Sequence, residues 1–108
     1  MKIYLVELSN QEMQKIAGVY TTFEVAREVA GFYINMITEY NKILKSNWPR
    51  YDWDAANEWA ERNVHEKYKY DINTYEDVFV YETELHETTQ VTEPKQLLSL
   101  SGKYDEDD

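Results

Sequence analysis

The side chains that most often carry chemistry are sparse in this sequence. Of two His, His65 opens the run His65-Glu66-Lys67-Tyr68-Lys69, which lacks the second His of a zinc-protease helix. His86 stands alone in another segment, so neither makes a transition-metal set. With no Cys there is no disulfide, thiolate ligand or cysteine nucleophile. The three Gly are dispersed and build no phosphate-cradling loop between a strand and a helix. None of the four Ser sits in a Gly-x-Ser-x-Gly elbow. Asp71-Ile72-Asn73-Thr74-Tyr75-Glu76 begins like a calcium loop and lacks its Gly. A carboxylate pair for glycoside chemistry needs a cleft, for which a small domain with a full helical face has little room. The expectation is a protein with no catalytic, cofactor or metal site.

The chemistry that remains is recognition. The chain has 21 acids against 11 Lys/Arg, a net charge of −10. Residues 1–50 hold six Lys/Arg and five acids, net +1; residues 51–108 hold five and sixteen, net −11. Direct nucleic-acid binding is not expected, because phosphate contacts need cations to replace counterions. Such a field attracts a basic partner surface, and it also serves solubility. Within the second half, Glu58 and Glu61 are helix neighbours three apart, and Glu82 and Glu84 alternate onto one face of a strand. If adjacent, these two rows would form one carboxylate surface. Trp48, Tyr51, Trp53 and Trp59 fall within twelve residues. Trp and Tyr anchor interfaces, and they also fill cores. Trp48, Tyr51 and Trp53 lie in a connection, where exposure is expected. Tyr51, Trp53, Glu58, Glu61, Glu82 and Glu84 are the partner-binding candidates.

A length of 108 residues fits one domain, and 43% hydrophobic with 15% aromatic residues suffices for a core. No apolar run approaches the roughly 18 residues of a membrane span. The start turns polar at Ser9 and does not read as a secretory signal, so a cytoplasmic location is expected.

The elements that must position these residues follow from periodicity. Lys2 to Leu8 is apolar on both faces, the pattern of a central strand. After the polar turn Ser9 to Glu12, Lys15 to Tyr20 forms its hairpin partner, with Gly18 marking a bulge or a close approach. Thr21-Thr22-Phe23-Glu24 reads as a capping box. A long helix over about residues 22–45 then buries Ala26, Val29, Tyr33, Ile37 and Tyr40 on one face. Pro49 ends it, and Asp52 or Asp54 caps a second helix over about residues 54–66, with Trp53 as a staple. Lys67 to Ile72 reads as a short strand or an irregular aromatic stretch, and Asn73-Thr74 as a turn. Val78 to Leu85 is the clearest strand, with Phe79, Tyr81, Thr83 and Leu85 on one face. Leu97, Leu98 and Leu100 form an apolar patch that docks as a helical turn or meets a partner. The domain spans residues 1–101, and 102–108 is a disordered acidic tail. The fold class is α+β: a small antiparallel sheet of three to four strands packed on one long helix, with a second shorter helix.

Gly18-Val19-Tyr20-Thr21, then Glu24, Ala26 and Ala30, then Tyr81 to Leu85 form a pattern. It resembles small β-β-α-β proteins of phages and mobile elements. The resemblance covers about residues 2–34 and 76–86. It carries no catalytic residue, and the second helix with its nearby Trp is an insertion. It implies a phage or prophage origin and, among acidic proteins of this size, an inhibitor that imitates nucleic acid, as some anti-CRISPR proteins do. The expected function is a non-enzymatic binding protein whose acidic surface engages a basic host protein, nucleic-acid-binding proteins being one such class. The alternatives are an accessory or homodimeric module without inhibitory role, and a small enzyme.

Overall fold

In the computed structural model, which describes residues 1–84 and 94–102, the chain is α+β. It runs β1 (Lys2–Ser9), β2 (Gln14–Tyr20), α1 (Phe23–Leu44), α2 (Trp53–Asn63), α3 (Glu66–Thr74), β3 (Asp77–Glu84) and β4 (Lys95–Ser101). The strands form one antiparallel sheet in the order β2-β1-β3-β4.

The helix α1 forms because apolar residues recur at steps of three and four. Ala26, Ala30, Tyr33, Ile37, Tyr40 and Leu44 make one buried stripe. At about 33 Å, the helix crosses all four strands. Its cap is Thr22, whose hydroxyl accepts from the Val25 N–H at 3.3 Å. That is one residue later than a box on Thr21 and Glu24 requires. Val29 is half-buried rather than in the core, because it borders a pocket. Val6, Leu8, Val78 and Val80 point from the sheet into the same core, with Leu98 and Leu100 beside them.

The second helix ends at Asn63, short of residue 66. Val64 turns extended and buried, and the His65 side chain accepts from the Lys67 N–H to start α3. This corrects the expectation of a strand or irregular stretch over 67–72. Lys-Tyr-Lys-Tyr-Asp-Ile alternates like a strand, but Tyr68, Asp71, Ile72 and Tyr75 also fit a helical stripe. Packing against α1 selects the helical period. Asn73 and Thr74 are the last helical residues, not a turn. Asp71 is buried, and both its oxygens accept from the Lys15 ammonium, at 2.9 and 3.2 Å, tying α3 to β2.

The Leu97 to Leu100 patch is neither a helical turn nor a free surface. It is the edge strand β4, paired with β3, with Leu97 as a bulge residue. Gly102 is buried, donates to the Glu76 carbonyl and accepts from the Asn41 side chain. The folded body therefore reaches one residue past 101. Leu85, His86 and the acidic tail from 103 lie outside the described residues.

Candidate functional site

Among the described residues α1 packs along one face of the sheet, and α2 and α3 pack on α1. The other face follows from strand alternation. Ile3, Leu5 and Glu7 of β1, Ile16 and Val19 of β2, and Phe79, Tyr81 and Thr83 of β3 take the outward register. Leu5 faces Val19 on one side and Tyr81 on the other; Glu7 faces Ile16 and Phe79. The Phe79 and Tyr81 rings lie 6.2 Å apart. An antiparallel sheet with one wet face ordinarily alternates apolar and polar residues. Here six apolar side chains stand on the face that no helix of the described residues covers, outside the core cluster. Lys2, Lys15 and Lys95 take the inward register, opposite Glu84, Leu8 and Glu82, so no Lys or Arg of the four strands joins this face.

Glu7 sits among the apolar residues, and desolvation raises its carboxyl above the ordinary value. Burial, then the nearby Glu7 charge, raises the Tyr81 phenol likewise. A raised folded value means the folded state holds the Glu7 proton more tightly than the unfolded chain. That contribution to stability is complete below the unfolded carboxyl range and is lost as pH rises through the folded value. Glu7→Gln should therefore be slightly more stable than the wild type at neutral pH, because it removes a partly desolvated charge. The gap should close toward about pH 4. Thermal melts of both proteins across this range check it, and a gap that widens on acidification would refute it.

The sequence candidates fall elsewhere. Tyr51 and Trp53 join Trp48 on the connection between α1 and α2, all three about half exposed. Their rings touch in series, at 5.5 and 6.0 Å between centroids. Hydrogen bonds from the Trp48, Arg50 and Asp52 N–H groups back to Lys45, Asn47 and Leu44 hold the connection in shape. Trp53 is the first residue of α2 and packs on Tyr51 rather than stapling the helix start. Asp52 is the cap, accepting from the Ala55 N–H.

The four candidate glutamates are divided between layers. Glu58 and Glu61 ride on α2, which packs on α1 and α3; Glu82 and Glu84 lie on β3 in the sheet. Glu58 accepts from Arg62 at 2.6 Å, Glu61 from Lys69 at 2.8 Å, and Glu82 pairs with Lys2 at 3.3 Å. Three of the four thus carry their own cation, which reduces what they offer a partner. The structure brings Tyr51 and Trp53 together, but it gives the glutamates no common contact.

A third feature had no signal in the sequence. A pocket of about 430 Å³ opens between β2, α1 and α3. Its walls are the rings of Tyr20, Phe32, Tyr33 and Tyr68, with Glu28 and Lys67 at its border. Phe32, Tyr33 and Tyr68 meet edge to face, with centroids 5.1 to 5.8 Å apart. Burial, with Asp71 and the neighbouring phenols, pushes Tyr33 up to about 12, so its hydroxyl stays protonated.

Compared with family models, curated proteins and solved structures, the chain matches none.

Proposed function

We propose that this protein is a non-enzymatic binding module whose open sheet face docks on a basic protein surface. The observation that carries the reading is the outward register of β1, β2 and β3. Ile3, Leu5, Ile16, Val19, Phe79 and Tyr81 surround Glu7 there, with no Lys or Arg on this face among the described residues. A contiguous apolar patch on a small protein marks an interaction site. A desolvated carboxylate inside it favours an Arg or Lys of the partner. Such a side chain can lay its apolar stem along the Phe79 and Tyr81 rings and bring its charge to Glu7. The net charge of −10 draws the same partner from a distance.

A second copy fits the face less well, because it would bring two desolvated Glu7 carboxylates onto one interface. The resemblance to phage proteins supplies a setting: a host protein in the cytoplasm, with a nucleic-acid-binding protein the natural source of a basic surface.

The test is affinity capture from host lysate at low and high salt, with wild type and Glu7→Lys. A partner of basic charge should bind faster at low salt. It should bind Glu7→Lys at least about tenfold more weakly. Equal capture by Glu7→Lys would overturn the reading. So would a wild-type dimer that Glu7→Lys dissociates.

A further inference from the structure

We propose that the pocket between β2, α1 and α3 binds a small zwitterion: a free α-amino acid with an aromatic or branched apolar side chain. The site is built by the chain's own local rules. Gly18 and Tyr20 share the inward register of β2, opposite Val6 and Tyr4. The Tyr20 ring folds back along the strand over Gly18, into space that a Cβ would fill. Glycine there lets Tyr20 form a wall. Across from it, Glu28 lies about one helical turn before the adjacent Phe32 and Tyr33 on α1, and Tyr68 closes the third side from α3. The Lys15–Asp71 pair fixes α3 against β2, which keeps the walls at their spacing.

Charge selects the ligand class. Glu28 on α1 has no ion pair among the described residues. The Lys67 ammonium lies 5.4 Å from the centre of the Tyr68 ring and has no carboxylate partner either. A simple cation would meet Lys67, and a simple anion would meet Glu28. A neutral apolar molecule would leave both charges unanswered. A zwitterion answers each: its ammonium toward Glu28, its carboxylate toward Lys67, its side chain on the rings. The volume, near 430 Å³, lies at the small end of ligand pockets and suits one amino acid. Tyr33, which lines the pocket, is itself buried and its phenol stays protonated.

The test is calorimetry of the full chain with L-phenylalanine and L-leucine, beside N-acetyl-L-phenylalanine and L-phenylalanine amide. Binding of the free amino acids is expected in the micromolar to low millimolar range. Each blocked form should bind about tenfold more weakly, since one charged contact is lost. Glu28→Gln should weaken L-phenylalanine about as much and remove the penalty for acetylation. Lys67→Met should do the same for the amide. Gly18→Ala should push the Tyr20 ring aside and reduce binding while the fold persists. Glu28→Gln and Lys67→Met alter exposed side chains, so they keep the test valid if Gly18→Ala misfolds. Three results would each overturn the proposal: no heat up to about 10 mM ligand, equal binding of the blocked forms, or unchanged binding by both charge variants. No protein partner enters these measurements, so their outcome is independent of the sheet-face docking.

Discussion

Ile37→Ala should destabilise the protein by about 2–5 kcal/mol. Ile37 is fully buried at the middle of the α1 stripe, with Tyr33 and Tyr40 on either side. Its Cγ2 methyl lies where a Cβ on Gly102 would stand, so the side chain touches the far end of the sheet as well. Removing three carbons leaves a cavity between a helix and a strand end that are each pinned by backbone hydrogen bonds, so little collapse is available. Against a typical stability of about 5–15 kcal/mol, this is a large share. Urea unfolding should show a lower midpoint with an unchanged slope. Val29→Ala, about two turns along but half-buried, should cost clearly less. A loss below about 0.5 kcal/mol for Ile37→Ala would mean that this face of α1 is not the core.

The parts of the fold that sequence reasoning reached are those with one dominant period. The α1 stripe runs for six buried positions, so no other reading competes with it. The β1–β2 hairpin and β3 are short-range or strongly β-branched, and they too were legible. The Lys67–Ile72 run satisfied two periods at once, and only contact with Phe32 and Tyr33 of α1 decides between them. β4 carries three Leu but gains its strand form from pairing with β3, a tertiary fact. Even Gly18 was only half legible. Its bulge, with Ala17 unpaired opposite Val6 and Glu7, follows from residue type, whereas the Tyr20 ring above it does not.

The candidate site divides in the same way. Exposure of Trp48, Tyr51 and Trp53 followed from Pro49 breaking the helix. Neutralisation of Glu61 and Glu82 did not, since Lys69 lies on another helix and Lys2 on another strand, whereas Glu58 and Arg62 are an i,i+4 pair on one helix that the spacing alone allows. The two-sided apolar pattern of β1 reads as a central strand, and β1 is one, but the pattern did not itself reveal an open face. β1 is central by its two neighbours, yet among the described residues the helical core meets only one of its faces. The surplus of Ile3 and Leu5 therefore has no core to serve, and the same holds for Phe79 and Tyr81 on β3.

That surplus leads to the second large effect. Phe79→Ala and Tyr81→Ala should each weaken partner binding by about 30-fold or more, the scale of a buried aromatic anchor. Both rings are half-buried and in contact, and they flank Glu7 and Leu5 at the centre of the face. Neither belongs to the core cluster, so truncation should leave most of the stability in place. The competing anchor is the Trp48, Tyr51 and Trp53 group, which is more exposed and has Asp52 and Asp54 as sequence neighbours. Exposure is what makes it the weaker candidate. An anchor contributes most when it is already shaped and partly dry before binding, and rim groups contribute little. Trp48→Ala and Trp53→Ala should thus change affinity by less than about fivefold. Surface plasmon resonance on the captured partner, with all four variants, ranks the two surfaces directly. If the Trp variants lose binding and the Phe79 and Tyr81 variants keep it, docking belongs to the α1–α2 connection and not to the sheet. In that outcome the six apolar residues of the open face would need another occupant.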